Sequence, residues 1–158
     1  MQKIIENPVG EEIKQAILPD HHAKEFRLTE HKGGFVLFSF HPLAWTKVCT
    51  DQMLSLEENY DEFLKLDCLP LGVSVDPVPC KHAWAEHLKL KKLLLLSDFW
   101  PHGKFSKKLR LFDDEKGFSQ RANVIVGEKR RILFYKIYPI KEVPDVKELL
   151  GVLKELNR

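Results

Sequence analysis

No stretch of this chain is apolar for long enough to cross a membrane. The densest run, Leu93-Leu94-Leu95-Leu96, ends at Ser97-Asp98, well short of the ~20 residues a spanning helix needs. Cysteine is scarce. The chain has three, an odd number that does not suit a disulfide framework, and no Cys-x-x-Cys pair. An excess of one charge is also missing, because 25 Lys and Arg are set against 23 Asp and Glu for a formal net of +2. The basic clusters Lys89-Leu90-Lys91-Lys92, Lys107-Lys108 and Lys129-Arg130-Arg131 are short and flanked by acids or apolar residues. They read as solvated faces, so no nucleic-acid partner is expected. Met1-Gln2-Lys3-Ile4-Ile5-Glu6-Asn7-Pro8 lacks the apolar region of a signal peptide. These absences lead us to expect a cytoplasmic protein that uses no membrane. With no repeat, low-complexity segment or linker, residues 1–158 are expected to form one domain.

What is present is an ordinary globular composition, 44% hydrophobic and 30% charged, with alternating strand and helix signals. A weak helical segment is expected around Glu11 to Leu18, then a turn at Asp20-His21-His22 and a short edge strand over Glu25 to Thr29. Lys32-Gly33-Gly34 leads into the apolar run Phe35–Phe40, which reads as a buried strand. After Cys49, the residues Met53, Leu56, Tyr60, Phe63 and Leu64 fall at helical spacing. A second strand follows over Leu69–Val75, with its proline near the start, where it is tolerated. Asp76-Pro77-Val78-Pro79 breaks it, and Cys80 is expected in the loop before a helix over Lys81–Leu88. Leu93–Leu96 reads as a strand, Phe105–Leu111 as helical and Asp113–Gly117 as a turn. Ala122–Val126 and Ile132–Lys136 form a hairpin signal, and Val146, Leu149, Leu150, Leu153 and Leu156 stripe a closing helix. A βαβ unit followed by ββα makes the expected fold α/β and thioredoxin-like, a central mixed sheet flanked by helices.

Chemistry concentrates where the first core strand hands over to a helix. The free N–H groups and positive dipole end of a helix start favour thiolate over thiol, lowering a cysteine from about 8.5 to roughly 3.5–7.5. Cys49 stands there. Thr46, three residues earlier, shares its face in a first helical turn, and its hydroxyl can donate to a thiolate or to a substrate oxygen. Pro42 fits the irregular loop and shields the sulfur. Arg121 opens a later strand, where it would bring a permanent cation to the strand ends.

Pro42, Thr46 and Cys49 spell Pro-x-x-x-Thr-x-x-Cys, which resembles the active-site signature of the peroxiredoxins, the AhpC/TSA group of thioredoxin-fold peroxidases. Ala23-Lys24-Glu25-Phe26-Arg27-Leu28 is similar to the family's opening block, although it lacks that block's Pro and Asp. Gly72–Asp76 with Ala83-Trp84, then Ser97-Asp98-Phe99-Trp100-Pro101-His102-Gly103, match later blocks, and Arg121 falls at the family's arginine. Pro-Leu-Ala-x-Thr and Ser-Asp-Phe-Trp-Pro-His-Gly look most like the AhpE-type, one-cysteine branch. Two departures stand beside the quartet: His41 occupies a usually aromatic position, and Gln52 replaces a common glutamate.

The resemblance implies a peroxidase in which Cys49 attacks hydrogen peroxide or an organic hydroperoxide and becomes sulfenic acid. Thr46, Arg121 and the backbone N–H groups of Val48 and Cys49 would hold the oxygens. Electrons would come from an external thiol, thioredoxin-like, glutaredoxin-like or of low molecular weight, with no bound cofactor and a homodimeric assembly. Cys80 is a candidate resolving cysteine, the alternative being a replaced helix cap, and Cys68 reads as structural. The seven histidines lack the spacing of a metal pair, so no metal is expected. His41 reads as aromatic-like packing, and Trp45, Trp84 and Trp100 as packing residues, with Trp45 and Trp84 framing a dimer contact. Competing readings are a thiol–disulfide oxidoreductase and a non-enzymatic redox sensor that passes oxidation to a partner.

Overall fold

The computed structural model describes residues 7–158. The N-terminal Met1 to Glu6, part of the segment read above for a signal peptide, lie outside them. A five-stranded sheet is built from β3 (Phe35–Phe40), β4 (Cys68–Ser74), β5 (Leu94–Ser97), β8 (Arg121–Val126) and β9 (Ile132–Tyr138), in the order β5-β4-β3-β8-β9. Strands β3, β4 and β5 are parallel, and β8 runs antiparallel to both β3 and β9. The sheet is therefore mixed and has helices on its faces, the thioredoxin-like arrangement expected.

Strand β3 sits at the centre, which explains its unbroken apolar sequence: both faces are covered. Successive side chains alternate between faces. Val36, Phe38 and Phe40 join one core with Leu71, Val73, Val124, Phe105 and the segment before β3. Leu37 joins the other with Leu95, Ile125 and the helices α1 (Lys47–Glu58), α2 (Tyr60–Lys65), α3 (Val78–Leu88) and α5 (Val146–Leu156). Each fully buried Leu or Phe contributes about 1.5–3 kcal/mol, so a covered sheet of this size needs no disulfide. Gly72, mid-strand in β4, is required by close approach. A Cβ there would fall 2.5 Å from the Met53 sulfur and 2.7 Å from a Leu95 methyl.

Several sequence expectations change. Glu11 to Leu18 is not helical: Glu12 bridges to Arg131, and Ile17–Pro19 (β1) pairs with Glu25–Arg27 (β2). The backbone hydrogen bonds of Gly10 and Ile13 to the β9 end override a weak local preference. The helix after Phe40 divides at Asn59 into α1 and α2, which turns Leu64 outward while Phe63 stays buried. Helix α3 begins three residues earlier than expected, because Pro77 caps it and Pro79 lies in the first turn, where no N–H is needed. Cys80 is thus a helical residue and not a loop one. The helix within Phe105–Leu111 shortens to α4 (Lys104–Lys108), followed by the two-residue strands β6 (Phe112–Asp113) and β7 (Phe118–Ser119) around the Asp113–Gly117 turn. Trp84 is fully buried, so it packs as expected but cannot frame a dimer contact. Trp100, 83% exposed, does not pack, and Trp45 is half exposed.

Candidate active site

Parallel pairing of β3 with β4 and antiparallel pairing with β8 set the site. The carboxyl ends of β3 and β4 lie together, and Phe40 faces Ala122, which sets Arg121 beside the end of β3. The loop from His41 to Thr46 then turns into α1, whose third residue is Cys49. The sulfur side chain is 1% exposed, and Arg121 is 2% exposed.

Arg121 Nη1 donates to Cys49 Sγ at 3.3 Å and to Gln52 Oε1 at 2.7 Å. Its Nε and Nη2 both donate to the carbonyl of Ile140, at 3.1 and 2.8 Å. The Gln52 amide nitrogen in turn donates to Ser39 Oγ and the Phe40 carbonyl. A neutral amide therefore orients the guanidinium and leaves Cys49 as the one group among these partners that can carry a negative charge. Buried charge is tolerated when it is paired and hydrogen-bonded.

Thr46 is the N-cap residue of α1, but its side chain does not cap the helix. Its hydroxyl donates instead to the Leu43 carbonyl at 2.8 Å, and not to Cys49. Its backbone carbonyl accepts from Thr50 N, while the N–H groups of Val48 and Cys49, in the first turn, have no intrahelical acceptor. Trp45, immediately before the cap, sits at φ +70, a conformation rare for a bulky side chain and frequent where a loop is held for function. Pro42 and Ala44 are buried beneath this turn.

Residues 9–135 match the AhpC/TSA family. The chain belongs to the AhpC/TSA family. Among its relatives, alkyl hydroperoxide reductase E of Mycobacterium bovis is 32% identical over 138 residues, covering 87% of this chain and 90% of that protein. A peroxiredoxin of Thermotoga maritima is 30% identical over 156 residues, covering 94% and 71%. The reduced 2-Cys peroxiredoxin of Plasmodium vivax superposes with a TM-score of 0.84 at 26% identity, over 94% of this chain and 81% of that one. The AhpC of Enterococcus faecalis, at 24% identity and a TM-score of 0.85 over 96% and 93%, shares the fold.

For this peroxiredoxin-family chain, the structure brings together Cys49 and Arg121 at the first turn of α1, with Thr46 at its N-cap and Pro42 buried in the loop before it. Cys80 is on α3, partly buried against the same apolar cluster as Cys49 and Ala44. Its sulfur lies 3.9 Å from Asp76 Oδ1 and hydrogen-bonds the Trp45 side chain. Burial and the Asp76 charge push the Cys80 thiol up, so it is held protonated. Cys68 is buried with its thiol pushed up to about 12 by desolvation, in keeping with a structural role.

The sequence reading missed a polar group behind the loop. Lys81, with no exposed surface, donates to Ser74 Oγ and lies 3.2 Å from His41 Nε2. Asp76 Oδ2 accepts from the Ser74 hydroxyl at 2.6 Å and from Ala44 N–H at 2.9 Å. A signal existed: Lys81 is three residues before Trp84 and so shares its buried helix face. His41 does pack on Trp84, with ring centroids 5.4 Å apart, but also hydrogen-bonds. Its pKa is held well below the ordinary value, first by burial and then by Lys81.

Proposed function

We propose that this chain is a thiol-dependent peroxidase of the AhpE-type branch, reducing hydrogen peroxide and organic hydroperoxides through Cys49. The observation that carries the reading is the buried Arg121 Nη1–Cys49 Sγ contact of 3.3 Å at the first turn of α1. The thiolate attacks one peroxide oxygen in line: the O–O bond breaks, an S–O bond forms and sulfur loses two electrons. The other oxygen leaves as hydroxide or alkoxide and takes up a proton. Arg121 and the N–H groups of Val48 and Cys49 stabilise the charge that develops on these oxygens, while the Thr46 hydroxyl, its proton given to the Leu43 carbonyl, accepts from the protonated peroxide oxygen. Pro42 keeps water from the sulfur.

Sulfenic acid then returns to thiol at the expense of two external thiols. The first forms a mixed disulfide and releases water, and the second frees Cys49 as a thiol. The donor class is a thioredoxin-like or glutaredoxin-like protein or a low-molecular-weight thiol, acting on a single-domain homodimer in a reducing cytoplasm. Half-exposed Trp45, with Leu43 beside it, gives the loop an apolar rim for that assembly.

The second reading, resolution by Cys80, is favoured by its position on the cluster that holds Cys49. Because Cys80 is held as a thiol, its attack on a sulfenic acid should quicken as pH rises. One experiment tests both. Stopped-flow peroxide titration of the wild type, Cys49→Ser and Cys80→Ser, with non-reducing mass readout, should show no turnover for Cys49→Ser and sulfenic acid on Cys49 otherwise. Near-normal turnover by Cys49→Ser would sink the peroxidase reading. A Cys49–Cys80 linkage that forms faster at pH 9 than at pH 7 would establish the resolving role, and its absence at both would end it.

A further inference from the structure

Lys81 is the one fully buried lysine among the described residues, and no carboxylate oxygen there lies within 4 Å of its nitrogen. Burying an ammonium without a direct counter-charge costs several kcal/mol in general, so its place requires an account. Three groups compose its surroundings: Ser74 at the end of β4, His41 just after β3 and the Trp84 ring on α3, 5.9 Å away. The hydroxyl of Ser74 accepts from Lys81 and donates to Asp76, which fixes the direction of the chain. Asp76 then holds the Ala44 amide. Ala44 immediately precedes Trp45, whose left-handed backbone needs outside support. Two bonds supply it, from Ala44 N–H to Asp76 Oδ2 and from Thr46 Oγ1 to Leu43 O.

We propose that Lys81 is a positioning residue for the peroxide reaction: through Ser74 and Asp76 it holds the Ala44–Thr46 turn, and so the start of α1, in the reactive geometry. This rests on the peroxidase reading of Cys49 and adds to it a residue that touches neither sulfur nor substrate. The ammonium polarises the Ser74 hydroxyl toward Asp76 and so fixes the side chain whose Oδ2 also accepts from Ala44 N–H. His41 accepts at Nε2, and its Nδ1 lies 3.4 Å from the Ser39 carbonyl. His41 therefore stays neutral and stops the ammonium from turning away from Ser74.

The link is titratable. Desolvation lowers Lys81 from its ordinary 10.5 to about 8, against the raising effects of Asp76, Cys80, Cys49 and Asp98. These and His41 are the charged and titratable groups facing it from β3, β4, α1, α3 and β5, and the Arg121 charge on β8 acts on His41. A neutral amine keeps N–H donors but polarises the Ser74 hydroxyl less, so the chain through Ser74 to Asp76 weakens and the turn should loosen as pH passes about 8.

Two measurements test this. In the first, the rate of Cys49 oxidation by hydrogen peroxide is followed from pH 6 to 10 in the wild type, Cys80→Ser and Lys81→Met. The wild type and Cys80→Ser should both lose rate above about pH 8. Lys81→Met should be slower at neutral pH by roughly 10-fold, within the cost of misplacing a reacting group, and show no such fall. A Lys81→Met variant with wild-type rate and profile overturns the proposal, and so does an alkaline fall that vanishes in Cys80→Ser. The second reads the wild type alone, by amide exchange of Ala44, whose protection should drop severalfold between pH 7 and 9.5. Unchanged protection overturns the anchor even if Lys81→Met does not fold. Because exchange needs no peroxide, failure of the peroxidase reading leaves this test standing and separable.

Discussion

Two buried cations flank the site, and they are unlike in almost every respect. Arg121 spreads its charge over donors that meet a sulfur, an amide oxygen and a carbonyl. Lys81 presents a compact ammonium to a hydroxyl and an imidazole. Neither has a carboxylate directly against it among the described residues. The guanidinium is charged at every accessible pH and is fixed by its planar fork, which suits a group that must face a reacting atom. The ammonium shifts readily when buried, and does so here, which suits a group that acts through others. Permanent charge faces the chemistry, and adjustable charge lies behind the loop that presents it.

The sharpest way to break this comparison is to remove the permanent charge. Arg121→Gln should slow Cys49 oxidation by roughly 100- to 1,000-fold, the cost of losing a preorganised charge-stabilising donor, measured by stopped-flow fluorescence with hydrogen peroxide. A loss no greater than that of Lys81→Met would mean the two cations are equivalent and the comparison false.

Stability should separate them in the opposite direction. Folded Lys81 holds its proton less tightly than the unfolded chain does, so its contribution to stability is complete above about pH 10.5 and is lost as pH falls through about 8. At pH 7 the burial penalty is therefore in force, worth up to about 3 kcal/mol. Lys81→Met, similar in volume and uncharged, should gain roughly 1–3 kcal/mol at pH 7 in urea unfolding once lost hydrogen bonds are offset, with the gain shrinking between pH 8 and 10.5. A variant that is slower yet more stable would mark Lys81 as retained for function; one that is destabilised would make it structural.

The smallest effect lies on the acid side. His21, buried and accepting from Leu95 N–H, is lowered to about 4 by desolvation and then by His22, and His41 is depressed likewise. Both favour the folded state fully above about pH 6.5, and the His21 contribution fades as pH falls toward 4. With solvent screening allowed for, His21 should account for about 1–2 kcal/mol of lost stability between pH 7 and 5, checked by urea midpoints. Equal midpoints at the two pH values would refute it.

Much of this molecule could be read directly from its residues. The unbroken run Phe35–Phe40 announces a strand covered on both faces, and the Val146–Leu156 stripe announces a one-faced helix, because period alone carries that information. Pro42, Thr46 and Cys49 could be found because they are close in sequence, on one loop and one helical turn. What escaped was nonlocal. Within Glu11 to Leu18, Glu12 bridges to Arg131, more than a hundred residues away, and no local propensity encodes such a partner. Cys80 was misplaced by one turn because prolines both break helices and begin them.

The chain's own residues thus specified the candidate cysteine, its threonine and proline neighbours, and the sheet they stand on, since these follow from short spacing and hydrophobic period. Folding in three dimensions assigned Gln52 and the Ile140 carbonyl to hold Arg121, and Lys81, Ser74 and Asp76 to hold the loop. Hydrogen bonds join groups that are 2 to 72 residues apart along the chain, and burial converts a lysine that looks like surface charge into a buried cation. Both depend on how strands β3, β4 and β8 meet, a register that composition and spacing do not contain.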